Sequence, residues 1–260
     1  MRMPHPNVLI GLTIVSLVAA CAIAAPWLAP YDPTTTSVLL FDTPSSKHWF
    51  GTDQLGRDVL SRVIHGARVS LMIGAGAAIV AGLIGVPIGL AGGYLGQTVD
   101  LVAMQFINLF IALPGLVLAL IIIAMTGATM SNIIVVLGFV AWPGVARLVR
   151  GQAMSIRESV YVEAARAVGG GTFWIISRHI WPNVFRLVAV QLATVVAFSI
   201  FTSSSLSFLG LGVPPPTPDW GGMVRSGVDY LTVNPFMSLA PGGAVALTIF
   251  GFYMLGYREQ

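Results

Sequence analysis

The sequence predicts an all-α, polytopic membrane protein with six transmembrane helices, and three observations carry that prediction. Only 9% of residues are charged, against about 25% in a soluble globular domain. Apolar residues make up 56% of the chain, and the mean hydropathy is +0.85. These residues fall in long runs, and at about 20 apolar residues per span the chain holds about six helices with modest connectors. Together they exclude folding around a water-soluble core. The net charge of +3 does not point to nucleic acid, because the arginines cluster beside the apolar runs. Cys21 is the lone cysteine, so no internal disulfide is available.

Residues 1–30 hold the first span. Met1-Arg2-Met3-Pro4-His5 precedes an apolar run from Val8 to Leu28. That beginning resembles a signal peptide, and Val18-Ala19-Ala20-Cys21 resembles a lipoprotein cleavage box. The run continues past Cys21 far enough to cross a bilayer, so it reads as an uncleaved span, with lipoprotein processing the alternative.

Residues 31–67 form a polar loop without positive excess, with Asp32, Asp42, Asp53 and Asp58 set against Lys47, Arg57 and Arg62. Within it, Gly51 and Gly56 mark turns, and Asp53 is placed to cap a short helix running through Val59 and Val63. This stretch reads as a solvated connector on the outer surface, the alternative being contact with a delivery protein.

Residues 68–260 form the core, with spans at about 68–94, 101–125, 132–149, 187–210 and 236–257. The first of these is rich in glycine, and Gly85 and Gly89 stand four apart, a spacing that lets membrane helices approach closely. Gly92 to Gly96 reads as a tight turn. Gln105 and Asn108 share a helical face, with Asp100 near it. Polar side chains so placed face a bundle interior or a water-filled path, and interhelical bonding is the competing role. Pro114-Gly115 predicts a kink, and Pro143-Gly144 an interruption of the 132–149 span. Ser199, Thr202 and Ser203 are candidates to line a path for a polar substrate, unless their hydroxyls bond back to their own helix. Pro214 to Trp220 is a stiff external segment. A surface or re-entrant helix follows around Met223–Leu231, either a docking surface or a connector.

The charge pattern changes in the coupling loop, 150–186, and at its edges. Arg147, Arg150, Arg157, Arg166, Arg178 and Arg186 stand against Glu158 and Glu163 alone, so the positive-inside rule makes this loop cytoplasmic. Alternation then puts both termini inside, in agreement with Arg2 and Arg258. Ser155 and Glu158 fit a capping box. The helix they open runs to Ala167 and stops at Gly169-Gly170-Gly171, where Gly169 takes the left-handed conformation. Thr172 is placed to cap a second helix, Phe173–Ile180, ending before Pro182, with Phe173, Ile176 and Ile180 on one face. Ala164 and Ala165 permit close approach of another protein. A loop resting on the membrane would favour lysine and bulky anchors, and the chain's one lysine, Lys47, lies elsewhere.

Glu163-Ala164-Ala165, three residues, Gly169, then Ile180-Trp181-Pro182 resembles the EAA loop of ABC importer permeases. The family pattern ends I-x-L-P; here Trp181 replaces the leucine and the isoleucine is shifted by one. Phe50-Gly51-Thr52-Asp53-Gln54-Leu55-Gly56-Arg57-Asp58, Gly66-Ala67-Arg68-Val69-Ser70-Leu71 and the stretch Leu206–Pro216 resemble the peptide/nickel subfamily, its C-type subunit in particular. Position 108, commonly acidic there, is Asn.

The resemblance implies a type I permease fold with a cytoplasmic EAA coupling hairpin, in the inner membrane of a prokaryote. It implies four kinds of partner: the lipid membrane, a homologous second permease, two cytoplasmic ATPases and an extracytoplasmic substrate-binding protein. Glu163, Ala164, Ala165, Arg166, Gly169 and Pro182 would form the ATPase-coupling element. This chain would bind no cofactor and no metal, ATP and Mg belonging to the partners, and no phosphate-binding G-x-x-x-x-G-K-[ST] loop occurs here. The substrate class implied is di- or oligopeptide, with nickel chelates or another small solute the alternative. A secondary transporter or channel would not need the hairpin, and an intramembrane protease would need a G-x-S-x-G or H-E-x-x-H motif that is absent from the sequence.

Overall fold

The computed structural model describes residues 6–256. Arg2 and Arg258, which agree with the expected orientation of the termini, lie outside the described residues, as does the last residue of the predicted 236–257 span. Helices are the regular structure of the chain, with no strand among the described residues. In order the helices are α1 (Pro6–Ile23), α2 (Ala25–Leu28), α3 (Val59–Tyr94), α4 (Gln97–Ile111), α5 (Gly115–Thr126), α6 (Met130–Arg157) and α7 (Val160–Ala167). Then come α8 (Thr172–Ile175), a π-helical turn (Ile176–Ile180), α9 (Trp181–Phe208), α10 (Trp220–Val228) and α11 (Phe236–Gly256).

Five helices are long and apolar enough to cross a membrane: α1, α3, α6, the 37-residue run Thr172–Phe208, and α11. The sixth candidate is α4 with α5, which are bent by 80° at Pro114 rather than merely kinked. The pair nevertheless passes from one end of the molecule to the other. Asp100 in α4 meets Arg150 beside the 157–182 hairpin, while Ala128, just after α5, lies beside Gln54 and Gly210 at the opposite end.

The centre of the bundle is the parallel pair α3 and α6. Lipid offers no hydrophobic force between helices, so close van der Waals packing must hold them. Gly85, Gly89 and Gly93 form a row on α3, and a Cβ on each would fall 2.7, 2.6 and 2.8 Å from the carbonyl oxygens of Trp142, Ala146 and Arg150. The step is four residues on both helices. Gly138 returns the contact, because a Cβ there would fall 2.5 Å from Val80 Cβ. Gly92 and Gly93 therefore belong to the helix and not to the predicted turn. The turn is Leu95-Gly96, where Gly96 has φ +112°. Pro143 is buried inside α6 without interrupting it. At the edge of the bundle, α1 rests on α11 through Gly11, whose Cβ would meet Gly251 O at 2.7 Å.

Residues 31–58 depart from expectation at their C-terminal end. Most of residues 31–49 are exposed, as a solvated connector would be, but Thr52, Asp53, Arg57 and Asp58 are all buried. Gly51 and Gly56 adopt φ +72° and +70°, which folds the strip back on itself. Asp53 does not cap the helix. Its Oδ1 accepts from the Leu55 and Arg57 amides, and its Oδ2 accepts from Arg57 Nε at 2.7 Å. Asp58 is the cap of α3, accepting from Ser61 N at 2.8 Å, and it also meets His48 Nδ1 at 2.9 Å. Two distant anchors hold the strip in place. Arg62 Nη1 donates to Pro33 O at 2.8 Å, and the fully buried Asn234 donates to Phe50 O at 3.0 Å. Trp220 fills the space below, donating from Nε1 to Val63 O at 2.9 Å. Its charged groups are thus engaged by one another, by His48 and by the backbone, while Gln54 Oε1 is buried without a partner.

The glycine row yields a contrast of substitutions. Gly89→Val drives a side chain into the Ala146 carbonyl and costs about 1–3 kcal/mol or more. Gly82→Ala is harmless, because its Cβ would meet Leu192 at an ordinary 3.4 Å. Melting temperatures of the two purified variants should separate accordingly.

Candidate functional site: a hairpin at one end, a polar cavity at the other

The hairpin begins later than its sequence suggests. Ser155 is not a cap: α6 continues through it because Ala153 and Ile156 must stay in helical register to reach the core. Ser159 is the N-cap position of α7, and its hydroxyl donates to Ile156 O. Val162 and Ala165, three apart, turn into the same core as Val149 and Ala153 of α6 and Val184 of α9. Glu163, Ala164, Arg166 and Val168 face outward. At the end of α7, Gly169 sits at φ +87°. Its amide donates to Arg166 O at 2.9 Å and that of Gly170 to Ala165 O at 2.9 Å. Those two bonds satisfy carbonyls that a helix end otherwise leaves unpaired.

The second limb also differs from expectation. Thr172 is the first residue of α8, with Gly171 as its cap position, and no side-chain cap bond forms. The helix does not stop before Pro182. A π turn carries it through, with Trp181 N bonded to Ile176 O, and it continues as α9. Proline lacks an N–H and crowds the carbonyl four residues earlier, and the wider turn absorbs that defect. The turn also changes which residues share a face. Ile175 and Ile180, five apart, are buried, whereas Phe173 is 84% exposed. Trp181 packs at the rim of the core, with its ring edge-on to Phe185 at 5.6 Å. A wide indole in place of leucine has room there.

One cross-helix contact ties the hairpin to α3, and two more tie α6, from which the hairpin continues, to α4. The Arg166 guanidinium lies over the Tyr94 ring, 5.1 Å from its centroid, at the end of α3. Arg150 of α6 grips Asp100 of α4 through two nitrogens, the second bond being 2.6 Å. Arg147 Nη2 donates to Asn108 Oδ1 at 2.7 Å. A paired, hydrogen-bonded carboxylate is the form in which such a group is tolerated near lipid. Sequence reasoning does not single out Tyr94 or Arg147 as site residues. Arg147 carries a signal, standing three before Arg150 on α6 opposite the polar positions of α4, whereas the Tyr94–Arg166 contact joins residues 72 apart and has none.

The proposed path-lining residues separate into two groups. Gln105 and Asn108 are exposed on α4. Ser199, Thr202 and Ser203 are buried within the chain, 0%, 2% and 4% exposed. Thr202 Oγ1 donates to Phe198 O at 2.8 Å, on its own helix.

At the opposite end, a cavity of about 540 Å³ lies between the folded strip, the end of α9 and α10. Its walls carry Arg57, Arg62, Arg225, Asp219 and Asp229. Asp219 caps α10 by accepting from Gly222 N at 2.9 Å. Burial raises its pKa above the ordinary carboxylate value, against the opposing pull of the Gly222 amide and of Arg62. Among the described residues, no group of three His, Cys, Asp or Glu side chains is arranged to hold a metal.

Comparison with known proteins finds matching family descriptions for most of the chain. Residues 85–257 match "Binding-protein-dependent transport system inner membrane component", and residues 4–44 match "N-terminal TM domain of oligopeptide transport permease C". The oligopeptide transport system permease protein OppC of Bacillus subtilis is 38% identical over 95% of this chain and 82% of its own. The glutathione transport system permease protein GsiD of Pectobacterium atrosepticum is 37% identical over 97% of this chain and 84% of its own. Among solved structures, the inward-facing MetNI methionine ABC transporter superposes with a TM-score of 0.62 at 18% identity. That match covers 75% of this chain and 93% of the other, and it shows the shared fold.

Gly169→Ala is expected to fray the end of α7 at a cost of about 1 kcal/mol, because an L-residue is strained at that φ. Gly171→Ala, at φ −71°, carries no such strain. Hydrogen exchange of the α7 amides should speed up in the first variant and stay unchanged in the second.

Proposed function

This chain belongs to the family of binding-protein-dependent transport system inner membrane components, and from that membership we propose that it is one channel half of an ATP-driven importer of di- or oligopeptides. Relatives named for oligopeptide and glutathione transport support peptide as the substrate class. The second half is a homologous permease. Two ATPase subunits bind ATP and Mg on the cytoplasmic side, and a substrate-binding protein delivers from outside. Both termini and the hairpin are cytoplasmic, and the folded strip 31–58 faces outward.

The observation that carries the reading is the hairpin itself. Val168 and Phe173 are 83% and 84% exposed at its tip, in a segment rooted in the core by Val162, Ala165, Ile175 and Ile180. Exposed apolar groups on a rigid base suit a protein groove. In this reading, Glu163, Ala164 and Arg166 form the contact with the ATPase, whereas Ala165, expected there from the sequence, is turned into the core and anchors α7; Gly169 sets the turn, and Pro182 with its π turn joins the hairpin to α9. ATP-driven closure shifts the permease between inward- and outward-facing states only if the contacts differ between them.

The structural links supply the lever. The hairpin moves α6 directly, α3 through Arg166 and Tyr94, and α4 through the Arg150–Asp100 pair. Gln105 and Asn108, exposed on α4, are the side chains we assign to the translocation path. The burial of Ser199, Thr202 and Ser203 favours packing as their role in this conformation.

Glu163→Arg reverses the charge and lengthens the side chain at the surface assigned to the ATPase contact. The expected result is loss of ATPase subunits when the assembled transporter is purified through this chain, together with loss of ATP-dependent peptide uptake in proteoliposomes. An intact variant complex that transports normally would remove Glu163 from the contact.

A further inference from the structure

The cavity between the folded strip and α10 has an arrangement of charge that the coupling mechanism does not use. Most of its ionic groups are already engaged. Arg57 is held by Asp53, Arg62 donates to Pro33 O, and Asp219 caps α10. Arg225 and Asp229 are different. They stand four apart, on α10 and at its end, a spacing at which opposite charges ordinarily pair. Yet among the described residues neither enters an ion pair with the other or with anything else.

Both line the same cavity. Gly210, at φ +91°, leaves the space that the Arg225 guanidinium occupies, and a side chain there would displace it. A third group is also unsatisfied: Gln54 Oε1 is buried with no hydrogen-bond partner. An unpaired buried acceptor costs about 1–3 kcal/mol, and a ligand N–H would remove that cost.

A cavity that offers a free cation, a free anion and a free amide acceptor matches a small zwitterion with an amide between its ends. The geometry points to this cavity as a receiving site for short peptides on the permease itself. Arg225 holds the terminal carboxylate, Asp229 the terminal ammonium, and Gln54 Oε1 accepts from a peptide N–H. The assignment rests on the peptide reading above and adds a site to it.

The dimensions agree. Residues four apart on a helix are about 6 Å apart along its axis, and an extended di- or tripeptide separates its ends by about 7–11 Å, a difference that the outward reach of the side chains covers. The volume, about 540 Å³, falls within the usual range for small-ligand pockets, about 300–1,000 Å³. Arg225 is exposed and the cavity opens outward, so a delivered peptide reaches it without the spans parting.

The test uses the assembled transporter in nanodiscs without its binding protein, titrated by equilibrium dialysis. The probes are trialanine, its C-terminal amide and its N-acetyl form. Wild type should bind trialanine saturably and lose about tenfold in affinity toward the amide, a charge-assisted bond being removed. Arg225→Gln should weaken trialanine by a similar factor and leave the amide unchanged, the non-additivity expected when one interaction is removed twice. Arg225→Lys should keep the preference for the free acid. Asp229→Asn should behave in the same way toward the N-acetyl form.

Absence of saturable trialanine binding overturns the site. So does equal weakening of free acid and amide by Arg225→Gln, or a wild type indifferent to amidation. Uptake assays on the complete system with its binding protein separate this outcome from failure of the parent reading. Peptide uptake without cavity binding removes only the site, whereas no peptide uptake at all removes peptide as the substrate.

Discussion

The close approach of α3 and α6 is the constraint on which the remaining structure depends. Three glycines in steps of four meet three carbonyls in steps of four, so the two helices run parallel in near backbone contact. In a medium that offers no hydrophobic drive between spans, such contact is a main source of association. It also sets positions at both ends. At one end it brings Tyr94 within reach of Arg166 and α4 within reach of Arg150. At the other it leaves Val59 and Trp220 to close a small core under the folded strip.

A consequence is that polar groups collect at the two ends and are handled differently. Near the hairpin the charges bind helices to one another: Asp100 with Arg150, Asn108 with Arg147. An unpaired partner there would be expensive, so these contacts are suited to moving helices as a unit. At the opposite end Asp53, Asp58, Arg57 and Arg62 satisfy one another and the surrounding backbone, and the strip becomes a fixed lid. Arg225, Asp229 and Gln54 are what that lid leaves unsatisfied.

Much was legible in the sequence. The spans, the charged loop and the left-handed Gly169 follow from composition, the positive-inside rule and the absence of a Cβ. The resemblance carried by Glu163-Ala164-Ala165 and by the Phe50–Asp58 stretch agrees with the family match. The errors share one cause. Asp53, Ser155, Thr172 and Pro182 were each read by local rules of capping and breaking, and at each a non-local demand prevailed. Asp53 was claimed by Arg57 and two turn amides, and Ser155 by the register that buries Ile156. At Pro182 a π turn kept the helix whole so that Ile180 and Val184 reach the core.

Sequence alone determined that this chain lives in lipid, how many times it can cross and which loop carries the cations, because hydropathy and charge are properties of residues. It also determined the family, because the hairpin and strip motifs are contiguous. Tertiary structure alone decided that Thr52, Asp53, Arg57 and Asp58 are buried, and that Arg225 and Asp229 face one cavity without pairing. Both depend on groups distant along the chain, Asn234 and Trp220 for the strip and Gly210 for Arg225, whose meeting is set by how the helices pack.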